Sequence, residues 1–106
     1  MRYLIRGKFT AQALRTIQQQ GMVNRVERAK ERFRAMGAEI KQAYLVPTTG
    51  GLQLIGIAEA EEKDLAAILC AINAFGHIEE EAVRIMTPEE MDEVIERSRS
   101  VSLPKG

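Results

Sequence analysis

Pro47-Thr48-Thr49-Gly50-Gly51-Leu52-Gln53-Leu54-Ile55-Gly56-Ile57-Ala58 is the stretch whose reading decides the fold of this chain. Pro47 through Gly51 is a turn by composition, and its glycine pair permits the positive φ angles that a hairpin requires. Leu52 to Ala58 reads as a strand apolar on both faces, the pattern of a central strand covered on both sides. A hairpin of this kind needs partner strands, and the flanking sequence supplies them. Ile40 to Val46 predicts the strand before the turn, with Tyr44 inside it. Tyr3 to Phe9 alternates with a period of two: Tyr3, Ile5, Gly7 and Phe9 lie on one face, Leu4, Arg6 and Lys8 on the other. Ile78 to Met86 predicts the fourth strand, with Val83 and Ile85 on one face and Ala82, Arg84 and Met86 on the other.

Helices fill the intervals. Thr10 is an N-cap for a short helix carrying Leu14 and Ile17, which Gln18-Gln19-Gln20-Gly21 interrupts because glycine is costly inside a helix. Met22, Val26, Ala29, Phe33 and Met36 then recur at spacings of three and four, one apolar helix stripe that Gly37 terminates. Glu61 to Asn73 predicts another helix, with Leu65, Ile68, Leu69 and Ile72 on its stripe and Gly76 at its end. Thr87-Pro88-Glu89-Glu90 is a capping box that starts a last helix with Met91, Val94 and Ile95 on its apolar side. Residues 1–97 are expected to form a single domain and residues 98–106, which lack periodicity, a flexible tail. The order predicts an α+β, ferredoxin-like βαββαβ domain: an antiparallel four-stranded sheet, both main helices on one face, and an extra C-terminal helix.

Composition bounds the function. The chain has 106 residues, 45% hydrophobic and 28% charged, enough for one core and not for two. Lys plus Arg balances Asp plus Glu at 15 each, which removes the electrostatic case for nucleic acid or an acidic membrane surface as partner. The lone Cys70, at the flank of its helix stripe, cannot form an internal disulfide, and Met1 to Arg6 lacks the apolar run of a signal peptide. A cytoplasmic protein is expected.

With the helices over Tyr3, Ile5 and Phe9, the opposite sheet face carries Leu4, Arg6, Lys8 and apolar residues of the central strand. An apolar face left open is a liability, so a homodimer or higher homo-oligomer packed through that face is expected. Ile5-Arg6-Gly7-Lys8-Phe9-Thr10 resembles the opening of GYD-domain proteins of the dimeric α/β-barrel superfamily. So do the interrupted first helix, Tyr44-Leu45, Glu59-Ala60, Ala74-Phe75-Gly76 and Thr87 through Met91. Where the Gly-Tyr-Asp signature belongs, this chain reads Gly51-Leu52-Gln53, so no role of that Tyr and Asp carries over. The resemblance implies the ferredoxin-like fold and dimerisation. Superfamily relatives include cofactor-free monooxygenases and muconolactone isomerases, but a shared fold does not transfer an activity.

Six residues are candidates for a ligand site: Arg6, Tyr44, Gln53, His77, Glu80 and Arg84. Arg6, Gln53, Glu80 and Arg84, with Lys8, are expected to share the open face with Tyr44, the convergent polar groups of a small-ligand pocket. Arg6 or Arg84 would hold a carboxylate or enolate oxygen, and Tyr44 would supply a proton or a stacking surface. The competing reading has Arg6 paired with Glu80 in an interface network. His77, the only histidine, is a general base by its ordinary pKa or a plain strand-entry residue by its position. Glu79 and Glu81 share one strand face with Glu80 on the other, either two carboxylates for a hard cation or a charged edge strand. Arg25, Arg28 and Arg32 read as solvated helix surface, interleaved as they are with Glu27 and Glu31. No metal site and no cofactor is expected. The leading expectation is a small-molecule-binding or cofactor-free enzymatic domain taking a small apolar or carboxylate ligand, with proton-transfer or oxygenation chemistry. The alternative is a non-catalytic ligand-sensing or oligomerisation module.

Overall fold

Alternation along the first strand sets the layers. Tyr3, Ile5 and Phe9 are buried beneath the helices, whereas Arg6 and Lys8 are exposed on the far side. The computed structural model describes residues 1–101. Its elements run β1 (Arg2–Phe9), α1 (Ala11–Gln20), α2 (Met22–Ala35), β2 (Glu39–Thr48), β3 (Gly51–Glu59), α3 (Glu62–Phe75), β4 (Ile78–Arg84) and α4 (Pro88–Ser98). The strands pair antiparallel in the order β2-β3-β1-β4, a ferredoxin-like α+β sheet.

Local chemistry accounts for the boundaries. The Thr10 hydroxyl accepts from the Ala13 N–H and caps α1, and Gly21 at φ 87° breaks the helix from α2, a left-handed backbone that favours glycine. Gly76 ends α3 at φ 72°. The capping box at Thr87 is complete: its hydroxyl accepts from the Glu90 N–H, and the Glu90 carboxylate accepts from the Thr87 N–H. That backbone donor holds the Glu90 carboxyl below its usual range.

Three boundaries differ from the sequence expectation by two residues, and several others by one. β2 runs through Pro47 to Thr48, because an edge strand tolerates a residue without an N–H; the turn shrinks to Thr49 and Gly50. α3 continues to Phe75, two residues beyond Asn73. β4 stops at Arg84 rather than Met86, since the Thr87 cap draws the chain into α4. The expected tail over 98–106 begins inside α4 at Ser98, and residues 102–106 lie outside the described residues. Met91, Val94 and Ile95 form the apolar side of α4 yet stay exposed, and no residue of α4 is buried.

The core divides in two. Tyr3, Ile5, Phe33, Ala58, Leu65 and Ile68 gather in one cluster, Phe9, Ala13, Ile17 and Ile78 in the other, and Ile72 touches both. The helix-facing row Leu45–Leu54–Gly7–Glu80 crosses the sheet between the Ile5 and Phe9 rows. Gly7 leaves room there: a Cβ would lie 2.7 Å from Glu80 Cγ and 2.8 Å from Ile78 Cδ1. Gly7→Ala is expected to cost about 1–3 kcal/mol of stability by overpacking, read from urea unfolding. Wild-type stability in that variant would mean that both neighbours swing aside freely.

Candidate functional site

Strand register decides which side chains meet on the open face. Three rows cross it from β2 to β4. Gln42–Ile57–Leu4–Val83 is mostly apolar; Tyr44–Ile55–Arg6–Glu81 is mixed; Val46–Gln53–Lys8–Glu79 ends in charge. Tyr44 is 59% exposed and Val83 39%, so the protomer by itself leaves this surface bare. A shallow depression of about 490 Å³ lies over the last two rows, lined by Arg6, Gly7, Lys8, Gln53 and Glu79 to Glu81. Arg6 Nη2 sits 2.8 Å from Glu81 Oε1. Among the described residues Lys8 makes no ion pair, and its stem leans over Gly51, with Cε 3.0 Å from where a Cβ there would be.

Arg6, Tyr44 and Gln53 thus share the open face with Lys8, while two other expected members do not. Glu80 pairs with Gly7 and Arg84 with Tyr3, so both point to the helix side. Apolar residues occur at both parities of β4, and only its pairing with β1 chooses the face. The Arg6 partner is accordingly Glu81 and not Glu80. Arg84 is a structural tie: its guanidinium donates to the Arg2 carbonyl at 3.3 Å and the Ile85 carbonyl at 2.6 Å, and pairs with Glu90 at 3.4 Å. These contacts join β1 to the start of α4. His77 lies half-buried just before β4, where its carbonyl accepts from the Thr10 N–H and hydroxyl, each at 3.1 Å. Its backbone anchors the entry to α1.

Glu80 occupies an unusual place. Its Oε2 is the one buried side-chain oxygen among the described residues without a hydrogen-bond partner. The Asn73 side-chain amide clamps its peptide, accepting from the Glu80 N–H at 2.9 Å and donating to the Glu80 carbonyl at 3.0 Å. Burial raises the carboxyl to about 7, against the weaker opposing pull of the Arg25 guanidinium. Arg25 is correspondingly no solvated surface residue. It is half-buried, with its guanidinium 5.9 Å from the Phe9 ring centre, and burial followed by repulsion from Arg32 and Arg28 lowers its pKa. Helix periodicity missed Arg25; the missing side chain at Gly7, which makes space for Glu80 and Ile78, was a signal for Glu80 alone.

Elsewhere the polar groups are committed or dispersed. A second depression of about 570 Å³ is lined by Met1, Arg34, Gly37, Ala38, Glu39, Glu59, Ala60 and Glu61. Beside it Glu59 binds Arg2 at 2.9 Å and Lys41 at 3.6 Å, which holds its carboxyl below the usual range. Cys70 is exposed, and no three His, Cys, Asp or Glu side chains among the described residues are grouped to hold a metal ion. No described helix is long and apolar enough to cross a membrane.

No curated protein and no solved structure gives a significant match to the chain. A family model described as "GYD domain" matches residues 3–95, from the second residue of β1 into α4. With the ferredoxin-like sheet and the interrupted first helix on the same span, the chain belongs to the GYD domain family, within the dimeric α/β-barrel superfamily.

Proposed function

We propose that the chain binds a small organic molecule, apolar in its body and carboxylate at one end, between the sheets of a homodimer. The observation that carries this reading is the division of the open face into an apolar row at Ile57, Leu4 and Val83 and a polar depression around Lys8. A second copy related by a two-fold axis would cover the apolar row, which water otherwise contacts at a cost proportional to its area. The depression would then lie between two sheets, and lowered polarity there would strengthen the attraction of the Lys8 ammonium for an anion. Arg6 is taken by Glu81, which leaves Lys8 as the anion-holding group, Gln53 as an amide donor and Tyr44 as a stacking face or proton donor. Proton transfer or oxygenation of the bound molecule is the chemistry such a space would serve. The Arg6–Glu81 pair favours a second reading, in which the same groups knit the interface of a non-catalytic ligand-sensing module.

Sedimentation velocity at micromolar concentration is expected to show twice the protomer mass of 11.9 kDa. Benzoate, used as a probe, is expected to shift the NMR resonances of Lys8, Gln53 and Tyr44, and Lys8→Gln to weaken its binding about tenfold or more. A monomer, or benzoate shifts confined to the helix side, would overturn the reading.

A further inference from the structure

α4 is firmly started but rests on nothing in its own chain. Its capping box is complete, and Arg84 ties Glu90 to the ends of β1 and β4. Yet no residue of α4 is buried, and no described element packs on it as β4 packs on α3. The protomer exposes 7757 Å², against about 5,900 Å² for a folded monomer of its mass. No more than about 700 Å² of the difference can belong to residues 102–106, the most that five extended residues expose. The remainder exceeds the roughly 800 Å² that one partner buries in a stable dimer.

The sequence of α4 matches itself run backwards. Met91, Val94, Ile95 and Ser98 form one stripe by the helical period, centred between Val94 and Ile95. Glu90 and Arg97 border it on one flank, Asp92 and Arg99 on the other, each pair two turns apart. Glu89, Glu93 and Glu96 lie on the opposite side. Antiparallel helices bring like flanks together. About a two-fold axis at that centre, Glu90 meets the partner's Arg97 and Asp92 meets the partner's Arg99. Parallel pairing would set acid against acid at the helix start. Within the described protomer Asp92 and Arg97 have no ion pair, while Glu90 has Arg84 at 3.4 Å and Arg99 has Glu96 at 2.7 Å.

We propose that α4 pairs antiparallel with α4 of a second copy on the two-fold axis of the homodimer, apolar stripe against apolar stripe. The pairing rests on the open-face reading, because so short a helix contact is far below the area that holds a dimer by itself. It also orients that dimer. α4 leaves the sheet at the Arg2 end of β1, where the Ile85 N–H donates to the Arg2 carbonyl at 3.1 Å. For the two helices to meet, the axis must run along the strands, with both Arg2 ends on one side. The two Lys8 depressions then meet at the other end.

Cysteine cross-linking of the full chain in a Cys70→Ser background tests it, at a concentration where sedimentation shows the dimer. Val94→Cys is expected to form an interchain disulfide on mild oxidation, because the axis brings its two copies within bridging distance. Glu93→Cys, on the outer side, is expected not to. Met91→Cys and Ser98→Cys are expected to cross-link only when mixed, since each meets the other. Asp92→Arg is expected to weaken the dimer about tenfold by setting like charges together twice, and Arg99→Asp added to it to restore most of that loss. The two positions lie too far apart in one helix to touch, so the recovery reports the contact between copies. A dimer in which Val94→Cys cross-links no better than Glu93→Cys overturns the α4 pairing and leaves the open-face reading standing. So does Met91→Cys cross-linking with itself, or a double variant no tighter than Asp92→Arg. A wild-type chain that stays monomeric overturns both.

Discussion

Glu80→Gln is expected to be more stable than the wild type at pH 8 and to lose that advantage by pH 4. In the folded chain burial raises the Glu80 carboxyl to about 7 from 4.5. Between those values the native state holds a proton that the unfolded state has released, so stability falls as pH rises through this window. The favourable contribution is complete below about 4.5 and gone above about 7. A difference of about 2.5 pKa units corresponds to about 3 kcal/mol at most. Glutamine keeps the length and the hydrogen-bonding end of the side chain while removing the charge, so it escapes the penalty of ionisation. Urea unfolding of both proteins at pH 4, 6 and 8 measures the effect. Parallel pH profiles for wild type and variant would show that the carboxyl titrates alike folded and unfolded, and that its burial carries no energetic weight.

Ile57→Lys is expected to abolish self-association while leaving the protomer folded. Ile57 stands in the open-face row between Gln42 and Leu4, half-buried in the protomer. Its side chain points away from the helix layer, so a lysine there keeps its stem along the sheet and its ammonium in water. In the proposed dimer the substitution enters the interface twice, because a two-fold axis presents the same patch from both copies. Two ammonium groups would then be buried against apolar partners, and the dissociation constant is expected to rise at least about 100-fold. A concentration series in sedimentation velocity reads this directly, with circular dichroism to confirm that the fold is intact. A variant that sediments like the wild type at every concentration would take the interface away from this face.

Local chemistry was enough for much of this protein. Thr10, Gly21, Gly37, Gly76 and Thr87 mark helix ends through side-chain caps and backbone freedom that act within a few residues, so they are readable in one dimension. The alternation of β1 and the two-sided apolarity of β3 likewise carried the element order, the layers and the central place of β3, because burial follows the period of the backbone. The tertiary structure decided what depends on pairing between distant segments. β4 holds apolar residues at both parities, and its face was set only when Gly7 met Glu80 and Arg6 met Glu81. That single register moved Glu80 and Arg84 off the open face, gave Arg6 its partner, and put the Glu80 carboxyl on the helix side of the sheet. Charge on a sequence is ambiguous between solvent and seam. Only the distance to the neighbouring strand and helix tells a solvated glutamate from a buried one.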